Sequence, residues 1–159
     1  MIFVTVGTDQ PFDRMIRIID AWARENNRTD VFGQIGEGAT PPSFISYSHF
    51  LEPPDFLKRF QAANLIVAHA GMGTILSALR FAKPILIFPR LASLGEQRNE
   101  HQLATAKRLL ELGKVNVAFS DDELRSKLGN LDKLAPRGKI TTFASTQLID
   151  SLRNFIDQA

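Results

Sequence analysis

Apolar positions along the chain follow two alternating patterns. Residues 2–6, 65–68 and 84–89 are apolar at nearly every position, which predicts strands buried on both faces. Shorter runs at 31–35, 44–47 and 115–119 predict three more strands. Between the runs, apolar residues recur at helical spacing. Phe12, Met15, Ile16, Ile19, Trp22 and Ala23 form one stripe, opened by Pro11 and fading near Asn26 and Asn27. After Pro53 and Pro54, residues 55–63 predict a helix with Phe56, Leu57 and Phe60 on its apolar side. A third helix follows residue 74, with Ile75, Leu76, Leu79 and Ala82 on one face, and stops at Lys83-Pro84. A fourth carries Leu103, Ala106, Leu109 and Leu110 and is ended by Gly113. Ser120 and Glu123 have capping-box spacing and open a short helix with Leu124 and Leu128. Residues 129–138 read as a linker. A last helix begins near Thr142, with Leu148, Ile149, Leu152, Phe155 and Ile156 on one stripe.

Strands that alternate with helices imply a parallel sheet covered on both faces. The expected class is α/β, a Rossmann-like doubly wound six-stranded parallel sheet in the order 3-2-1-4-5-6. Its switch point lies between strands 1 and 4. Two turns leave those strands there: Gly7-Thr8, and His69-Ala70-Gly71-Met72-Gly73-Thr74. The second joins a buried strand to a helix start, where free backbone N–H groups and the helix dipole favour an anion. Gly71 and Gly73 lack the Cβ atoms that would hold a phosphate away, and His69 can add a donor.

Composition narrows the ligand. The chain has 159 residues, one domain's worth, with Lys+Arg 19 against Asp+Glu 17, too little excess for a nucleic-acid surface. It has no cysteine, and its three histidines, His49, His69 and His101, lack metal-ligand spacing, so no metal site is expected. The start shows no signal-peptide pattern and no apolar run is long enough to span a bilayer, which places the chain in the cytoplasm. The first turn has one glycine rather than G-x-G-x-x-G, and there is no GK[ST]. NAD and ATP are disfavoured; a nucleoside diphosphate bearing another group fits better.

The combination of Val4 to Thr8 with Phe12-Asp13, His69 to Leu76, Ala82 to Pro89, and Asn99 to Gln102 resembles the glycosyltransferase family 28 C-terminal domain. That domain is the nucleotide-sugar-binding half of GT-B enzymes. Pro89-Arg90, Gly95-Glu96, Asn99 and His101-Gln102 look most like the single-domain, PssE-type branch, in which this half is a separate polypeptide. The resemblance implies one nucleotide-sugar-binding domain over residues 1–159, with 140–159 a C-terminal helix at a partner interface. It assigns the diphosphate to Gly7, Thr8, His69, Ala70, Gly71, Gly73 and Thr74. It assigns the donor sugar to His101 and Gln102, with Glu96 and Asn99 close by. The family usually has Glu where this chain has Ser77, so the ribose contact falls to a weaker acceptor.

The implied reaction is transfer of a sugar from a UDP-sugar to a lipid-linked acceptor in exopolysaccharide synthesis. Backbone dipoles at the helix start would stabilise the departing UDP, with no cofactor and no metal required. The sequence offers no general base, so a membrane-associated acceptor-domain subunit is expected to supply it. The chain would then sit peripherally at the cytoplasmic face of the membrane, and homo-oligomerisation stays open. The alternatives are a non-catalytic nucleotide-binding or regulatory module and, less well matched, a flavodoxin-like signalling domain, which would need an acidic cluster.

Overall fold

The structure, a computed structural model, describes residues 1–137. The last predicted helix, with residues 140–159, lies outside the described residues. Six strands form one all-parallel sheet: β1 (Ile2–Thr5), β2 (Val31–Gln34), β3 (Ser46–Ser48), β4 (Leu65–Ala68), β5 (Ile85–Ile87) and β6 (Asn116–Val117). The order is β3-β2-β1-β4-β5-β6, as the alternation of patterns predicted. β1 sits at the centre, with Thr5 in register with Gln34 on one side and Ala68 on the other.

Five helices cover the two faces: α1 (Asp13–Glu25), α2 (Pro53–Ala62), α3 (Met72–Arg80), α4 (His101–Glu111) and α5 (Asp121–Leu128). Strand side chains alternate between two cores. Ile2, Val4, Val67 and Leu86 pack with Met15, Ile16, Ile19 and Trp22 of α1 and with Leu124 and Leu128 of α5. Phe3, Ile66, Ile85 and Ile87 pack with Phe60 of α2, Ile75 and Leu79 of α3 and Ala106 of α4. α5 is capped as its sequence predicts: Ser120 Oγ accepts from the Glu123 N–H, and Glu123 Oε2 accepts from the Phe119 N–H.

Three expectations shift. β3 was expected at 44–47 and forms two residues later, because the Asp20 carboxylate takes the Phe44 and Ile45 N–H groups at 2.8 and 2.9 Å. Those amides are no longer free to pair with β2. Second, α1 starts at Asp13 rather than Pro11, β6 covers only two residues, and a 3-10 turn, Leu131–Lys133, interrupts the expected linker. Third, the helices bury narrower stripes than their leucines suggest. Leu57, Leu76 and Leu110 are exposed, Leu76 by 45%. α3 seats only Ile75, Ala78 and Leu79 on the sheet, and it ends before Ala82, which has a left-handed backbone at φ +50°.

Candidate functional site

Above the C-terminal ends of β1, β2 and β4 lies a cavity of 520 Å³. That is within the range of small-molecule sites, and it sits at the switch point. Its walls differ in chemistry. Phe50, Leu51, Pro53 and Phe56, from the segment after β3 and the start of α2, make an apolar wall. Gly71, Gly73, Thr74 and Ser77, at the start of α3, make a polar one. Thr5, Gly7, Thr8, Asp9, Gln34 and His69 close the floor between them.

The two glycines of the α3 turn do different work. A Cβ on Gly71 would stand 2.2 Å from His69 Nε2, so this position is bare to make room for the imidazole. Gly7, at φ +79°, flanks the same ring; its Cβ would meet His69 Cε1 at 2.7 Å. A Cβ on Gly73 would meet nothing within 4 Å, and it is there that a ligand can approach the backbone. The Gly71 N–H is used by the His69 carbonyl at 2.9 Å. The first-turn N–H groups of Met72, Gly73 and Thr74 have no intrahelical acceptor, as at any helix start, and no side chain caps α3.

The floor is tied internally. The Gly7 N–H donates to Thr5 Oγ1 at 3.2 Å, and Gln34 Nε2 donates to the Gly7 carbonyl at 3.4 Å. Gly7 therefore shapes the floor and has no free donor for a phosphate. His69 is largely buried and its Nδ1 finds no partner among the described residues. Burial, with the nearby Arg90 charge adding to it, pushes the imidazole down to about 4, so it is neutral at physiological pH. Arg90 lies behind the cavity, 1% exposed. One of its terminal nitrogens donates to the carbonyls of Val6 and Gln10, and its guanidinium stacks 5.1 Å from the Phe12 ring.

The residues expected to meet the diphosphate thus come together, apart from Ala70, which is buried in the core beneath the turn. Ser77 also lines the cavity, but its hydroxyl donates back to the Gly73 carbonyl at 2.8 Å. The donor-sugar set does not line this cavity. Glu96 accepts from Arg14 Nε at 2.5 Å and Nη2 at 2.8 Å, and from the Leu91 N–H at 2.9 Å. Gln102 is 6% exposed and accepts from the Arg90 N–H at 3.2 Å. These two hold the 90–100 segment in place. Asn99 accepts from the His101 N–H, and His101 itself is exposed at the start of α4. Sequence reading missed Asp9, Gln34 and the apolar wall. The signals present were Gln34 at the end of a buried strand, Asp9 directly after the Gly7-Thr8 turn, and apolar Phe50-Leu51 ahead of Pro53.

The fold is that of the Rossmann-like C-terminal half of GT-B glycosyltransferases. Residues 1–149 match the glycosyltransferase family 28 C-terminal domain, and the chain belongs to that family. It is 33% identical over 124 residues to the human UDP-N-acetylglucosamine transferase subunit ALG13, a match covering 70% of this chain and 10% of that protein. The chain therefore spans about a tenth of that relative's length. Among solved structures, the solution structure of ALG13 superposes with a TM-score of 0.60 at 18% identity, covering 95% of this chain and 93% of that one. MurG of Acinetobacter baumannii gives 0.58 at 17% identity, covering 82% of this chain but 41% of its own. No helix among the described residues is long and apolar enough to cross a membrane.

Proposed function

We propose that this chain is the UDP-sugar-binding subunit of a glycosyltransferase. The observation that carries the reading is the two-walled cavity at the switch point: an apolar wall suited to a nucleobase faces a bare helix start suited to a diphosphate. The base packs against Phe50, Leu51 and Phe56. The diphosphate takes the N–H groups of Gly73 and Thr74, with the neutral His69 beside it. The ribose lies near Ser77, and the transferred sugar reaches toward Asn99 and His101. In the reaction an acceptor hydroxyl oxygen bonds to the anomeric carbon as the bond from that carbon to the phosphate oxygen breaks. UDP departs with the electron pair, its charge spread onto the α3 N–H groups. The hydroxyl proton passes to a base on a membrane-associated acceptor subunit, and the acceptor is lipid-linked, as in exopolysaccharide synthesis. The chain would work at the cytoplasmic face of the membrane through that partner. Support comes from family membership and from the similarity to a human UDP-N-acetylglucosamine transferase subunit.

A second reading, a nucleotide-binding module without catalysis, is favoured by Ser77, whose hydroxyl is already committed to its own helix. Calorimetry against a panel of nucleotide sugars tests the site. Gly73→Val puts a branched side chain into the approach to α3 without touching the core. It should leave the circular dichroism spectrum unchanged and weaken UDP binding by more than about tenfold, 1.4 kcal/mol. Unchanged affinity in a folded variant would place the ligand elsewhere.

A further inference from the structure

We propose, resting on the nucleotide reading above, that Arg90 is a positioning residue for the ligand: without lining the cavity, it holds the 7–10 turn in the shape that receives the diphosphate. Arg90 is among the largest fully buried side chains, yet no carboxylate bonds its guanidinium among the described residues. Its Nε also finds no partner among them. Burial pulls its pKa below the ordinary value, against the nearby Asp9 and Glu96 charges. A buried cation without a bonded counter-charge costs stability, and an apolar side chain of similar size fills such a space at less cost. Core packing alone therefore does not account for an arginine at this position.

What the guanidinium does is bind both ends of one turn. Nη2 donates to the Val6 carbonyl at 3.1 Å, where β1 runs out, and to the carbonyls of Gln10 and, at 3.5 Å, Pro11, where the chain enters α1. The Phe12 ring flanks it, and the Arg90 N–H is itself fixed by Gln102 Oε1 at 3.2 Å. A second tie comes from the turn: Gln10 Nε2 donates to the Glu96 carbonyl at 2.9 Å and to Gln97 Oε1 at 2.7 Å. The residues between the tied ends, Gly7, Thr8 and Asp9, line the cavity. Thr8 and Asp9 are exposed, and no acceptor among the described residues takes their N–H groups. Successive free N–H groups in a turn suit an anion. They serve it best when the turn is already fixed, because ordering it on binding would cost affinity. The forked guanidinium, rather than its charge, makes this possible. A lysine keeps the charge, but its shorter side chain ends in a single nitrogen without the fork.

The test compares UDP, by calorimetry, with uridine, by an NMR titration that reaches millimolar affinities. It uses the wild type, Arg90→Lys, Arg90→Met and Gln10→Ala, with circular dichroism to show that each variant is folded. Uridine carries the base and ribose without the phosphates, so a turn that serves the diphosphate should matter to UDP alone. Arg90→Lys and Arg90→Met should each bind UDP about tenfold more weakly than the wild type and bind uridine as the wild type does. Gln10→Ala, which loosens the same turn from its exposed side, should show the same selective loss at about threefold. Equal losses for UDP and uridine would make Arg90 a support of the whole cavity and overturn the inference, as would unchanged UDP affinity in Arg90→Met. Full UDP affinity in Arg90→Lys beside a loss in Arg90→Met would assign the effect to charge, and overturns it too. If the Arg90 variants do not fold, Gln10→Ala decides: without a selective loss of UDP affinity there, the inference falls. Wild-type UDP binding without these selective losses leaves the nucleotide reading standing; a wild type that binds neither UDP nor uridine ends both.

Discussion

His69 is the residue through which the site and the stability of the fold are joined. Its ring fills the space between Gly7 and Gly71, where any side chain would collide with it. Enclosure is also what keeps it neutral: its pKa falls from 6.5 to about 4. In the unfolded chain the same imidazole takes up a proton below about 6.5. Between 6.5 and about 4 the unfolded state thus binds more protons than the folded one, and stability falls as the pH falls through that window. At about 1.4 kcal/mol per pH unit the full effect is on the order of 3 kcal/mol. Asp20 cannot imitate it. Burial opposes its ionisation, yet bonds from the Ile45, Phe44 and Ser43 amides and the Ser43 hydroxyl hold its carboxyl below the ordinary value of 3.8, so its contribution is lost only at lower pH. Urea midpoints measured from about pH 7 to about pH 4.5 should decline in the wild type and stay nearly flat across the same range in His69→Gln. A parallel decline in both proteins would assign the effect to another group.

At the scale of elements, the 90–100 segment separates what the sequence shows from what it hides. Its run of polar residues, Arg90 to Gln102, looks like a solvated ligand loop. In the structure it is strapped to the rest of the domain. The Glu96 carboxylate takes two bonds from Arg14, whose remaining terminal nitrogen donates to Asp121 at 2.8 Å, tying the segment to α1 and α5. Arg14 also lies 4.3 Å over the Phe88 ring. Side chains 14% exposed on both partners put this pair well above a surface ion pair. Glu96→Ala should therefore cost about 2 kcal/mol in chemical denaturation, since it leaves Arg14 half-buried with a partner missing. UDP affinity should change little, because Glu96 does not line the cavity. A selective loss of UDP-sugar over UDP affinity in a stable variant would instead return Glu96 to the donor sugar. Strand order was legible because continuous apolar runs and helical stripes alternate without ambiguity. The start of β3 was not, because it depends on Asp20, some 25 residues away, taking two backbone amides. Exposed Leu57, Leu76 and Leu110 show the related limit: periodicity marks an apolar face, while the width buried depends on what the helix meets.

For the whole molecule, the remaining question is whether one domain can complete the transfer. The His69–Thr74 turn was legible from chain order alone, since two glycine turns at one switch point can only converge. The apolar wall and Asp9 were not, because only the folded β3–α2 connection brings Phe50 and Phe56 opposite a turn from β1. With the cavity assembled, its candidates for a proton acceptor are few. His69 is neutral, but its ring is sandwiched between the backbones of Gly7 and Gly71. Asp9 lines the floor next to Gly7 and Thr8, the side to which the proposed function assigns the diphosphate. A hydroxyl that displaces UDP directly must approach the anomeric carbon from the face opposite the diphosphate, and its base must lie within hydrogen-bond reach on that face. With the ligand placed as proposed, neither residue lies on that face. The purified chain should therefore bind UDP in calorimetry but transfer no sugar from a UDP-sugar to a lipid-linked acceptor. If transfer needs the proposed membrane-associated acceptor subunit, co-expression with such a subunit should restore it, and Gly73→Val in the same complex should abolish it. Robust transfer by the isolated chain would overturn the two-subunit reading and make Asp9 the first residue to examine as the base, with Asp9→Asn and a pH–rate profile as the deciding measurements.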